Sequence, residues 1–460
     1  MNIHSGLQDH MVLQRTQANV SAAAFAGSSS AKGNVLATVR DDDGEIVQGF
    51  DRAIVGIAGD GVVCGEIAGV PIGGPYEIMI EIEASGYSVE FADVLVGDVW
   101  VMAGQSNMEG CGAILQALPP HPMVHAFYMD DHWDVARDPV NDLSITVDPV
   151  HTDLRDGVRP LPLVTRGTGP GPSFGQEMYR LTGVPQGLIA SAHGGTSMNQ
   201  WSPELKDQGG HSLYGATVRR VTKNGGRVAG ILWYQGCSDA SPVDASPIYT
   251  DRMKALIGAM RRDFGNEALP VAIVQIGTLT DSWGDSEGWN GIRRQQYDLP
   301  DIVPNVTMVT AIDLPLDDII HLSGEGQNRL GRRLAKALHA LIDGIGTAPV
   351  KVSGLSLAAN SIHEGMDIIV KFSNVENALR AADRASGFSL VDKTGIERRP
   401  YRVDLADDTA TLRTCMDLTL LQTLDLYYGY GVNPYCNIVD GEDRGLPAFG
   451  PIPLASADVE

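Results

Sequence analysis

The chain has 460 residues, 43% of them hydrophobic and 20% charged. That is too long for one ordinary domain and too apolar for a disordered chain. Its formal charge of −23 excludes nucleic acid and anionic membrane surfaces as partners, since both require a basic face. No apolar run is long enough to span a bilayer as a helix.

The pattern changes along the chain. From Met1 to Leu95 it is β-like: Asn34–Arg40 reads as a strand, and Tyr76–Ile82 runs close to period two, with acidic turns such as Asp41–Gly44 between them. This predicts an N-terminal β-sandwich or jelly roll over residues 1–95. From Val96 to about residue 345, short apolar runs alternate with helical stretches. The runs at Pro185–Ser191, Ala229–Tyr234, Val271–Ile276 and Val306–Ile312 have the character of buried parallel strands. Ser173–Leu181, Tyr249–Phe264 and Gly324–Ile342 read as helices, the last with Leu330, Leu334, Ala337, Leu338 and Leu341 on one face. That alternation predicts a doubly wound α/β sheet whose site lies at the strand carboxyl ends. Residues 346–460 return to a strand pattern, clearest at Asp367–Phe372 and Thr409–Arg413, and predict a second β-sandwich. Gly167–Pro172 and Gly344–Pro349 read as linkers or loops.

Five cysteines are scattered without paired spacing, which predicts neither a disulfide framework nor a zinc site. With no signal-peptide core in Met1–Val20, the expected location is cytoplasmic, or secreted or periplasmic if a signal was trimmed.

The most informative segment is Gly104-Gln105-Ser106-Asn107-Met108, directly after an apolar strand. A serine where a strand gives way to a helix is well placed for a nucleophile whose product is an oxyanion. Far downstream, Asp318-Ile319-Ile320-His321 supplies a histidine with a carboxylate three residues earlier. That spacing lets one short loop set the carboxylate against Nδ1 while Nε2 serves as the base. Asp313 and Asp317 compete for the orienting role, and spacing favours Asp318. Trp233-Tyr234-Gln235-Gly236 adds an amide donor after another strand. Each piece alone has an ordinary reading: Ser106 as a helix cap, Asp318 and His321 as a surface turn, Gln235 as a strand end. Together, each after a predicted parallel strand, they make a nucleophile, a base, an orienting carboxylate and an oxyanion donor. The acidic pairs, Asp130-Asp131 among them, lack a matching His/Asp arrangement and predict no metal and no cofactor.

These residues resemble the sialate O-acetylesterase group of SGNH hydrolases. The resemblance rests on Asp98-Val99-Trp100 with Gly104–Met108, Gly194-Gly195-Thr196-Ser197 with Trp201, Trp233–Gly236, and Asp318–His321. Asp9–Arg15 and Gly445–Phe449 resemble the family's start and end. The resemblance implies an SGNH-type three-layer α/β/α catalytic domain at 96–345, flanked by the two β-sandwiches, that removes O-acetyl groups from carbohydrates. It casts Ser106 as nucleophile, His321 as base and then acid, and Asp318 as orienter. The oxyanion would be held by the Ser106 N–H, a backbone N–H of Gly194 or Gly195, and Gln235. Asn107 and Trp201 would contact the substrate, with Trp201 and Trp289 readable either as sugar-stacking or as core residues. His193 is near enough in sequence to touch substrate. One departure stands out: Cys237 occupies a position where the family usually has glutamate. It reads as a small buried hydrophobe, with Ser238 or Asp239 left to supply the missing polar support.

Two other functions compete with the esterase: a catalytically silent carbohydrate-binding protein, to which Cys237 points, and a lipase- or thioesterase-like hydrolase, which calls for an apolar surface beside Ser106. The charge makes neutral acetylated glycans at least as suitable as sialic acid. The expected partner is an acetylated carbohydrate, and the oligomeric state is not readable.

Overall fold

In the computed structural model, which describes residues 1–83, 85–154, 165–241, 243–360 and 364–459, the chain forms two compact units. The first comprises 1–233 with 255–269, the second 234–254 with 270–460. This division differs from the three segments expected from the sequence pattern.

The first unit is organised by one long strand, Ser88–Gly104. Over its first half it pairs antiparallel with Gly73–Ile82. Over its second half it pairs in parallel with Gln186–Ala190, Asp98 opposite Gln186 and Met102 opposite Ala190. The residue 95/96 boundary therefore falls inside a continuous strand. Gly97 marks the switch: a Cβ there would lie 1.9 Å from the Pro185 carbonyl oxygen, so only glycine permits the approach. On the antiparallel side Gly33–Arg40, Ala53–Gly59, Val62–Pro71 and Val20–Ser28 continue the sheet. On the parallel side Val124–Phe127 follows Gln186–Ala190, and these strands are buried throughout, as strands covered on both faces must be. Helix Gly171–Thr182 ends at Gly183 in the left-handed region (φ 69°). Gly167–Pro172, expected to be a linker or loop, ends strand Arg166–Thr168, turns at Gly169-Pro170 and starts that helix, and it is buried.

Two opening motifs find their structural reason here. Arg15 forks both oxygens of Asp98 at 2.7 and 2.8 Å, and Gln14 Oε1 accepts the Val99 N–H at 2.7 Å. The segment Asp9–Arg15 is thereby fixed to the strand that leads to Ser106.

In the second unit Val271–Gln275 and Val306–Thr310 pair in parallel, with helices Ser286–Ile302 and Gly324–Asp343. Leu330, Leu334 and Leu338 of the latter are fully buried, as the period predicts. Beyond residue 350 the described chain is mainly antiparallel β, with Asp458–Val459 pairing in parallel with Lys351–Ala359. A five-stranded sheet that includes Lys351–Ala359, Met366–Ser373 and Thr409–Arg413, and a four-stranded one that includes Phe388–Asp392 and Leu424–Tyr428, share one apolar core. Leu357, Ile368, Leu412, Leu390, Leu426 and Phe449 are among its members.

Candidate active site

In the first unit, Gly104 (φ 130°) ends the long strand, Gln105 occupies the position before the helix, and Ser106 is the first residue of the short helix Ser106–Glu109. Ser106 is therefore not a helix cap. Gly194 lies against it: a Cβ on Gly194 would come within 3.3 Å of the Ser106 Cβ. Glycine at 194 is what allows the backbone to come this close to Ser106. Gly195 has φ 70°, and a Cβ there would meet no atom within 4 Å. The Gly194 N–H donates to Glu109 Oε2 at 2.6 Å. Sequence reasoning did not single out Glu109, although it sits three residues after Ser106, on the same helical turn.

Behind the Gly194 loop, His193 and His151 are both buried, their rings stacked at an interplanar angle of 11° with Nδ1 atoms 2.8 Å apart. One ring must donate and the other accept, which couples their tautomers. His193 is tied further by its backbone N–H to the Gly104 carbonyl, 3.0 Å. Trp201 is fully buried. Its indole N–H donates to Thr196 Oγ1 at 3.0 Å, and its ring meets Trp233 edge-on, centroids 5.1 Å apart. The sugar-stacking role expected for Trp201 gives way to one in the core, where it braces the Gly194–Thr196 loop. Asn107 is also buried, at 1% exposure, and presents no open face to a sugar.

The second unit holds His321, the histidine expected to act as base. Asp318 Oδ2 accepts from His321 Nδ1 at 2.8 Å, while its Oδ1 accepts the backbone N–H groups of Ile320 and His321 at 2.9 and 2.8 Å. Burial works to raise the Asp318 carboxyl. The donors, His321 first, outweigh it and hold the group well below the usual carboxylate range. A carboxylate on Nδ1–H leaves Nε2 as the basic nitrogen of His321. The loop is closed by Asp317 N–H on the His321 carbonyl and Ser323 N–H on the Pro315 carbonyl. Ser323 then caps helix Gly324–Asp343 through the Gly326 N–H. Asp313 cannot be the orienter, because Arg333 binds both its oxygens at 2.7 Å.

Gln235 is buried, and its Nε2 donates to Asp239 Oδ2 at 2.5 Å. Its carbonyl accepts from Tyr249 Oη and Gln296 Nε2, both at 2.9 Å. Asp239 is itself buried, with Arg252 3.5 Å away. The carboxylate missing at position 237 is thus supplied two residues later. Cys237 is buried, and burial pushes its thiol up to about 12, so it is a packing residue and not a nucleophile. Trp289 is fully buried beneath Arg293 and belongs to the core. All five cysteines are free thiols.

A serine beside a glycine loop, a carboxylate-held histidine and a carboxylate-held glutamine amide are the parts of an acyl-transfer hydrolase. A family model described as carbohydrate esterase, sialic acid-specific acetylesterase, matches residues 96–340, and the chain belongs to that family. It is similar to a probable carbohydrate esterase of Arabidopsis thaliana, 29% identical over 264 residues, 52% of this chain and 89% of that protein. It is also 27% identical over 279 residues to the human sialate O-acetylesterase, covering 53% of each chain; the chain thus spans about half the length of that relative. The fold is shared with a carbohydrate acetylesterase from Xanthomonas citri at a TM-score of 0.69 and 21% identity, covering 97% of this chain and 98% of that one.

Proposed function

We propose that this chain is a serine esterase that removes O-acetyl groups from carbohydrates through an acetyl-enzyme. Ser106 Oγ attacks the acetyl carbonyl carbon and passes its proton to His321 Nε2. Asp318 stabilises the imidazolium through Nδ1. The negative charge that develops on the carbonyl oxygen is met by the Ser106 N–H, the N–H of Gly194 or Gly195, and the Gln235 side chain. On collapse, His321 returns the proton to the departing sugar oxygen. Water then attacks the acetyl group with His321 as base, releasing acetate and restoring Ser106.

The observation that carries this reading is the Asp318–His321 clamp, whose carboxylate takes three donors from its own loop and so fixes both tautomer and ring. In the family this chemistry belongs to the segment 96–345, arranged as a three-layer catalytic domain between β domains. For Gly194 to serve the oxyanion, Glu109 must release its N–H; Gly195 needs no such displacement. The net charge of −23 leaves neutral acetylated glycans at least as suitable as sialic acid.

A chain-length series of p-nitrophenyl esters tests the reading. Preference for the acetyl ester supports it, and a peak at long acyl chains would replace it with a lipase-like activity. Glycan binding by an enzyme that turns over none of these esters would replace it with a silent lectin-like role.

A further inference from the structure

Three residues far apart in the sequence meet in the first unit, away from the groups assigned to catalysis. His10 lies just before strand Val12–Gln14, Asp93 lies on the long strand Ser88–Gly104, and His125 lies on strand Val124–Phe127. One ligand atom from each can be chosen so that all lie within 4.8 Å of one another. Asp93 Oδ2 is 2.7 Å from His10 Nδ1 and 3.7 Å from His125 Nε2.

The orientation of His125 makes this more than a polar cluster. Its ring is fully buried. Nδ1 lies 2.6 Å from the His10 carbonyl oxygen, so this nitrogen carries a proton and donates it. In a neutral ring Nε2 is then a lone pair. Nε2 nevertheless faces two oxygens, the Pro122 carbonyl at 3.0 Å and the Asp93 carboxylate at 3.7 Å. A lone pair aimed at two other lone pairs is repulsive unless something positive stands between them. A second ring proton would do so, but an imidazolium in a fully buried ring costs desolvation. A cation would do so with the ring neutral. An imidazole whose Nδ1–H is held by a backbone carbonyl while Nε2 points into a site is the usual posture of a metal ligand.

We propose that His10 Nδ1, Asp93 Oδ2 and His125 Nε2 form a binding site for a divalent transition metal of the zinc type, with the Pro122 carbonyl beside it. Two imidazoles and a carboxylate suit such an ion. Tetrahedral ligands about 2.1 Å from zinc stand about 3.4 Å apart. The 3.7 Å pair is close to that spacing, and the 2.7 Å pair opens as the metal replaces the His10 hydrogen bond. His10 and Asp93 keep 37% and 31% side-chain exposure, which gives the ion a route from solvent. Both also hold left-handed backbone, φ 59° and 54°, uncommon for residues other than glycine. The site would pin the opening segment and strand Val124–Phe127 to the strand that ends at Ser106. Its role would be structural.

The test uses the full chain, stripped with a chelator and titrated with Zn²⁺ by calorimetry, with Tm followed in parallel. The expected result is saturable binding of one ion and a Tm that climbs with Zn²⁺ concentration. His10→Ala and Asp93→Asn, both at partly exposed positions, should each weaken that binding at least about tenfold and abolish the Tm response. If one variant fails to fold, the other carries the comparison. Absence of binding to the wild-type chain, or equal binding by wild type and the folded variants, would overturn the site.

Discussion

At the scale of single residues, Asp318 and Trp201 make opposite predictions. Asp318→Asn keeps the size of the side chain but reverses the hydrogen bond on which the His321 tautomer depends. It should lower kcat by about 10³- to 10⁴-fold with the circular-dichroism spectrum unchanged. A loss below about tenfold would remove Asp318 from the machinery. Because its carboxyl is held below the ordinary value of 3.8, its ionised form adds stability above that pH. The contribution fades only as pH falls through the lower folded-state value. Acid unfolding followed below about pH 4 should therefore be shallower in Asp318→Asn than in wild type. Trp201→Ala should instead cost stability, about 3–5 kcal/mol, visible as a lower denaturation midpoint. A variant of native stability with a raised KM would restore the sugar-stacking role that burial denies it.

At the scale of elements, Asp239 is the sharpest test of how the oxyanion loop is held. Asp239→Asn should lower kcat about tenfold while KM moves little, less than the ~10²–10³ expected when Gln235→Ala removes the donor itself. Equal kcat in wild type and Asp239→Asn would show that the 2.5 Å contact does not align the amide. Much at this scale was legible in the sequence, because buried parallel strands announce themselves as short apolar runs. Gln186–Ala190, Gly230–Tyr234, Val271–Gln275 and Val306–Thr310 fall within a residue or two of their expected ends. Helix Ser286–Ile302 was not foreseen, since Gly288, Gly291 and Pro300 interrupt its pattern. Contacts between distant segments were also out of reach. Asp318 and His321 could be paired because they share one loop, whereas Glu109 with Gly194, or His10 with Asp93 and His125, meet only once strands are in register. Trp201 stayed open between sugar-stacking and core for the same reason: composition cannot tell an aromatic in a pocket from one beneath it, and burial places it in the core.

At the scale of the whole molecule, the charge of −23 should be felt by charged substrates alone. The kcat/KM for an anionic acetylated sugar, relative to a neutral one, should rise as salt is added from low ionic strength, since the Debye length shrinks to about 8 Å near physiological salt. A ratio indifferent to salt would mean that local groups cancel the field at the site. Family membership, the carboxylate-held histidine and the serine set against Gly194 all converge on one claim, that acetyl esters of sugars are cleaved at Ser106. The most direct measurement is acetate release from acetylated xylan oligosaccharide and from 9-O-acetyl sialic acid, by wild type and by Ser106→Ala. The account predicts release from at least one substrate by wild type and none by the folded variant. Release by Ser106→Ala near the wild-type rate, or no release by wild type from either substrate or from p-nitrophenyl acetate, would contradict it.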